Sequence, residues 1–144
     1  MPLDPTTDAH AREVLESVRT VAILGAHPQR SRAAFYVPDY LASVSYEIFP
    51  VNPGHVGTEL FGRETVARLD ALDSRIDLVD VFRRSDAVTD HVDEVLAMDP
   101  LPKVVWLQLG IRNDEAAARW RAAGVDVVQN RCTLADHRRL VAPR

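Results

Sequence analysis

The chain is 144 residues long and 47% apolar, enough to build one hydrophobic core in a single domain spanning 1–144 and too short for a separate catalytic domain. A net charge of -4, with both signs scattered along the chain, argues against a nucleic-acid surface. Cys132 is the only cysteine, which excludes an intramolecular disulfide and favours a reducing, cytoplasmic setting.

Met1 to His10 is polar, carries Asp4 and Asp8 and lacks the apolar stretch of a signal peptide. No apolar run approaches the ~18 residues of a membrane span. Thr6, Thr7 and Asp8 offer helix-starting oxygens, and Ala11, Val14, Leu15 and Val18 follow at helical spacing. Val21-Ala22-Ile23-Leu24, closed by Gly25, is an apolar run without alternation, the pattern of a strand buried on both faces of a parallel sheet. The loop Ala26-His27-Pro28-Gln29-Arg30-Ser31 leads into a helix over Ala33 to Ser43.

Tyr46 to Val51 predicts a second strand, stopped by the turn signal Asn52-Pro53-Gly54. Leu60 to Leu72 predicts a loop with a short strand and a helical turn. The third strand is Asp77 to Phe82, after which Ser85 or Asp86 is placed to cap a helix running through Val88, Val92, Val95 and Leu96 and ending before Pro100. Val104 to Leu107 is the fourth strand. Asn113 or Asp114 caps a helix that stops at Gly124, Val125 to Val128 is the fifth strand, and Arg131 to Leu140 closes the chain as a short helix.

Strand and helix alternate about five times, which predicts an α/β, Rossmann-like, doubly wound parallel sheet of about five strands with helices on both faces. Right-handed crossovers suggest the strand order 3-2-1-4-5. Such a sheet binds ligands outside the carboxyl ends of its strands, at the switch point beside strand one.

Those ends carry the polar residues. Gly25, Ala26, His27 and Pro28 leave strand one, where a glycine permits a tight turn and amides of the loop and helix start can hold phosphate, with Arg30 and Arg32 adding charge. This is not a dinucleotide fingerprint, because only Gly25 of the three required glycines is present. Strand two ends in Asn52-Pro53 rather than the acid that binds NAD ribose, so a ribose bearing a phosphate, as in coenzyme A or NADP, would not be repelled. Simple turn chemistry explains Asn52-Pro53 equally well. Strand three ends in Val81-Phe82-Arg83-Arg84, with guanidiniums suited to phosphate or carboxylate. Strand four ends in Gln108-Leu109-Gly110-Ile111, and strand five in Gln129-Asn130-Arg131.

Taken in order, Val21 to Pro28, Val51-Asn52-Pro53, Val79 to Arg83, Val105 to Gly110, Asn130-Arg131-Cys132 and Asp136 to Leu140 resemble the small stand-alone CoA-binding proteins, similar in fold to the CoA-binding domain of the succinyl-CoA synthetase α subunit. The resemblance runs from about Val14 to Leu140. It implies coenzyme A lying across the carboxyl edge, with contacts from Gly25, Ala26, His27, Pro28, Asn52, Pro53, Val81, Phe82 and Arg83, and with Gln108, Gly110 and Ile111 along the same crevice. Arg30, Arg32 and Asn130 complete the candidate set. Two positions depart from the family: His27 stands where serine is usual, and Asp136 where glutamate is usual.

Cys132, Asp136 and His137 have the chemistry of a nucleophile, acid and base, but their spacing within one short helix is not that of a triad, and a structural role for His137 is favoured. If Cys132 faces the crevice, it could form a mixed disulfide with the CoA thiol. The five histidines lie apart, without the spacing of a metal motif. The expected activity is therefore binding of CoA or an acyl-CoA by a carrier or regulatory protein, without a complete catalytic set, working alone, with a protein partner or as a homo-oligomer. The alternatives are a partner-dependent subunit of an acyl-CoA ligase or transferase, and an NADP or nucleotide sensor.

Overall fold

The computed structural model describes residues 6–141; Met1 to Pro5, half of the segment read for a signal peptide, and residues 142–144 lie outside the described residues. Helix α1 (Asp8–Ser17) starts where Thr7 accepts the amide of His10, and it buries Ala11, Val14 and Leu15. Five parallel strands follow through the chain: β1 (Thr20–Leu24), β2 (Glu47–Val51), β5 (Leu78–Val81), β6 (Val104–Leu107) and β7 (Asp126–Val128). Between β2 and β5 lies a small antiparallel pair, β3 (Glu59–Leu60) and β4 (Arg63–Glu64). The remaining helices are α2 (Ala33–Ser43), α3 (Val92–Leu96), α4 (Asp114–Ala122) and α5 (Thr133–Asp136), the last continued by a wider turn over His137–Val141.

The sheet runs β2-β1-β5-β6-β7. Counting only the five parallel strands, this is 2-1-3-4-5 and not the expected 3-2-1-4-5. The reason lies on the free side of β2. The amide of Val66 donates to the Pro50 carbonyl, the amide of Asn52 donates to the Val66 carbonyl, and Arg63 donates to the Ile48 carbonyl. The β3–β4 segment thus covers the edge that another strand would need. The third parallel strand pairs instead with the opposite side of β1, Val21 beside Leu78 through Leu24 beside Val81.

Both faces are covered. Helices α1 and α2 pack with Val21, Ile23, Ile48 and Trp106 on one side, while Trp120 of α4 and Val92 and Val95 of α3 pack with Ala22, Val79 and Val105 on the other. Because the five parallel strands are covered front and back, their apolar runs need no alternation. Asn113 caps α4 by accepting the amide of Ala116. The helix expected from Ser85 begins as a tighter 3₁₀ turn over Ser85–His91 and becomes α-helical only at Val92. Ser85 does not cap it, because its hydroxyl accepts the amide of Arg112. No helix among the described residues is long and apolar enough to cross a membrane.

Candidate functional site

With β2 and β5 flanking β1, the chain leaves β1 towards one side and returns on the other, so the switch point falls between the ends of β1 and β5. Gly25 makes that junction possible. Its φ is +95°, and a Cβ there would stand 2.8 Å from the Phe82 carbonyl oxygen. The amides of Gly25 and Ala26 do not point at a ligand: both donate to the Val51 carbonyl, at 2.8 and 3.3 Å, and that of His27 donates to the Ala34 carbonyl. Of the amides expected to hold phosphate, those of the loop and the following helix start, these three are taken up within the fold.

Donors without partners lie one step further on. Arg32, the residue preceding α2, makes no side-chain cap, and the amides of Ala33 and Ala34 have no hydrogen-bond partner among the described residues. Free amides in the first turn of an eleven-residue helix favour an anion. Beside them is a cavity of about 540 Å³ lined by Arg32, Ala33, Ala34, Tyr36, Val37, Phe82, Arg83, Arg84, Gln108, Leu109, Ile111 and Cys132. Its volume is in the range of small-molecule sites, and its walls are mostly apolar with a few polar groups, as in such sites generally. Arg84 pairs with Asp86 at 3.4 Å, whereas exposed Arg83 has no ion pair among the described residues.

Of the fifteen candidate residues, the cavity collects Arg32, Phe82, Arg83, Gln108 and Ile111. The others divide by position. Val81 is buried in the core on the α3–α4 side, so its side chain is structural. Asn52 staples two loops, donating through Nδ2 to the Ala26 carbonyl and accepting the Gly54 amide through Oδ1, both at 2.8 Å, as Pro53 opens a 3₁₀ turn. The amide of Gly110, at φ +86°, donates to Oδ1 of Asn130, which itself has φ +59°; the pair ties the β6 and β7 exits together. Pro28 and Arg30 are exposed on the β1 exit, with the Arg30 guanidinium over the Phe35 ring. His27 meets His55 edge to face at 4.8 Å between ring centroids. Desolvation, then the charges of Arg32 and His55, push the His27 pKa below its usual value. Its Nδ1 accepts the Gln29 amide, leaving Nε2 to carry the proton in the neutral ring.

Beneath the cavity runs a buried network that the sequence did not flag. Gln108 Nε2 donates to Asp80 Oδ1 at 2.6 Å and to Thr133 Oγ1 at 2.8 Å, and Thr133 donates to Asp80 Oδ2 at 3.0 Å. Asp80 is fully buried in β5, and desolvation pushes its carboxyl up to about 7 against the opposing pull of both hydrogen bonds. The visible signal was an acid inside an otherwise apolar strand. Tyr36 and Leu109 were also missed; both are large, exposed apolar side chains on the cavity wall.

Cys132 faces the cavity, but the acid and base beside it in sequence turn elsewhere. Asp136 binds Arg131 at 2.6 Å, and His137 Nδ1 meets the Tyr40 hydroxyl at 2.8 Å. Burial lowers the His137 pKa. The two groups fasten the tail rather than serving the thiol.

Residues 19–138 match the family model of the CoA binding domain. The chain belongs to that family. Within reach of this CoA-binding fold are a Thermus thermophilus protein, cell-free ID.343, 46% identical with a TM-score of 0.88 over 94% of this chain and 99% of its own, and a hypothetical protein from Pyrococcus horikoshii OT3, 31% identical with a TM-score of 0.87 over 99% of each chain. The uncharacterized Bacillus subtilis protein YneT is 32% identical over 129 residues, 90% of this chain and 93% of its own. The family match supports CoA binding in general, and the Rossmann-like fold is shared across near-complete chains.

Proposed function

We propose that the protein holds coenzyme A or an acyl-CoA at the carboxyl edge of its sheet and acts as a carrier or regulatory ligand-binding protein. The observation that carries this reading is the meeting of three features in one cavity: the open amides of Ala33 and Ala34, the unpaired Arg83 and an apolar wall from Tyr36 to Leu109. Phosphates suit the first two. The uncharged arm of the coenzyme suits the third.

The arrangement supports binding over turnover, because Asp136 and His137 are committed to Arg131 and Tyr40. It also disfavours NAD, since β2 runs into Asn52, engaged by two loop backbones, where an acid would bind the ribose hydroxyls. Isothermal titration with CoA, acetyl-CoA, NADP and NAD tests the proposal. The expected result is a micromolar Kd for CoA or its acetyl ester, about -8 kcal/mol. A clear NADP isotherm beside a flat CoA trace overturns it.

A further inference from the structure

Gln108 is 5% exposed and lines the cavity, and its amide group is fixed from behind. Both hydrogens of Nε2 are engaged, one by Asp80 and one by Thr133, while Thr133 gives its own proton to Asp80. The carbonyl Oε1 is therefore the end left over, and it has no hydrogen-bond partner among the described residues. Among the groups lining the cavity, this open acceptor suits an occupant that brings an N–H. The half-buried Cys132 lines the same cavity. Coenzyme A offers both complements on one arm: amide N–H groups along its length and a sulfur at its tip.

We infer that Cys132 is a site of reversible disulfide exchange with coenzyme A disulfide, guided by donation from the coenzyme's amide arm to Gln108 Oε1. The inference rests on the proposed CoA site. In the exchange, Cys132 loses its proton and its Sγ attacks one sulfur of the CoA disulfide. The sulfur–sulfur bond breaks, a Cys132–CoA disulfide forms, and the second CoA leaves as a thiolate that takes up the proton. CoA disulfide is the oxidant; one protein thiol is oxidised as one CoA is released reduced. A thiol such as dithiothreitol reverses the step.

The test incubates the full chain with CoA disulfide or with glutathione disulfide and follows intact mass, with peptide mapping to locate the adduct. The expected outcome is one CoA adduct per chain on Cys132, removed by dithiothreitol, forming at least about tenfold faster than the glutathione adduct because the bound disulfide is held at high effective concentration. Gln108→Leu brings the two rates together, and Cys132→Ser abolishes the CoA adduct. Equal rates for the two disulfides on the unaltered chain overturn the inference, whether or not the variants fold. So does an absent adduct. Titration with reduced CoA under a phosphine separates the cases: heat of binding without an adduct rejects the exchange alone, and neither heat nor adduct rejects the proposed site as well.

Discussion

Asp80 Oδ1 accepts a hydrogen bond from Gln108 Nε2 at 2.6 Å, joining the interior of β5 to the exit of β6 directly beneath the cavity. The bond selects which end of the Gln108 amide faces the occupant. An amide with both hydrogens held behind it presents only its carbonyl, so the wall there accepts and does not donate. Thr133, 53 residues beyond Asp80 in sequence, locks the arrangement by binding both partners.

Asp80 also gives the protein a defined response to pH. Burial pushes its carboxyl from 3.8 up to about 7. Between those values the folded chain holds a proton that the unfolded chain has lost, so the group's contribution to stability is complete at low pH and declines as pH rises towards about 7. Asp80→Asn removes this slope. Asp8, held well below the usual carboxylate range by Arg139 and then Arg131, contributes with the opposite sign in both proteins and cancels in the difference. Urea unfolding from about pH 4 to about pH 7 is expected to show the wild type losing ground steadily to the variant. A constant difference would mean that Asp80 ionises in the fold as readily as in water.

Gly25→Ala is expected to destabilise the fold by on the order of 3 kcal/mol. Two effects act together: a positive φ of +95°, and a new Cβ only 2.8 Å from backbone oxygen of Phe82, which has no flexible end to yield. Relief requires the β1 and β5 exits to part, and that also deforms the cavity wall at Phe82 and Arg83. Thermal unfolding and CoA titration should therefore worsen together. Gly62→Ala is the control for φ alone, since a Cβ at Gly62 meets nothing within 4 Å and its φ is +83°.

The five parallel strands were legible because each is an apolar run bounded by turn residues, and α4 was legible because Asn113 and Gly124 punctuate it. Their order was not, although one clue was present. Pro50 sits inside β2 and lacks an amide, a residue tolerated on edge strands, whereas the order 3-2-1-4-5 would have made β2 internal. At the cavity, Arg83 and Gln108 were legible as polar residues at the exits of buried strands. The fate of the Gly25 and Ala26 amides was not, because it depends on the Val51 carbonyl of a neighbouring strand. The Asp80–Thr133 bond was hidden for the same reason: it joins residues that only the finished fold brings together.

Arg131 anchors the tail, and its removal separates anchoring from ligand binding. It bridges Asp8 at 2.6 Å and Asp136 at 2.6 Å and donates to the Thr6 carbonyl at 2.9 Å, while its own carbonyl accepts from the Trp106 indole. Asp136 is mostly buried and would lose its closest cation in Arg131→Ala, keeping only Arg139 at 3.4 Å. The partly solvated pair makes the expected loss on the order of 2 kcal/mol, below that of a fully buried pair. Amide exchange should quicken over 133–141 and the start of α1 before it quickens in the sheet.

Arg83 tests the electrostatic half of the binding proposal. Its guanidinium lines the cavity from the β5 exit, is exposed and has no ion pair among the described residues, so replacing it frees no buried partner and disturbs no packing in the core. Arg83→Ala should leave the unfolding temperature unchanged within error. If the guanidinium meets a coenzyme phosphate, affinity should fall about tenfold, equivalent to ~1.4 kcal/mol for one partly solvated charge-assisted bond. The wild-type Kd should also weaken as salt is raised, and the variant's less so, because the screened interaction is the one removed. Arg84, already paired with Asp86, provides the contrast: Arg84→Ala should alter affinity far less. Equal losses in the two variants would assign the effect to general surface charge, and an unchanged Kd in Arg83→Ala would move the phosphates away from the β5 exit.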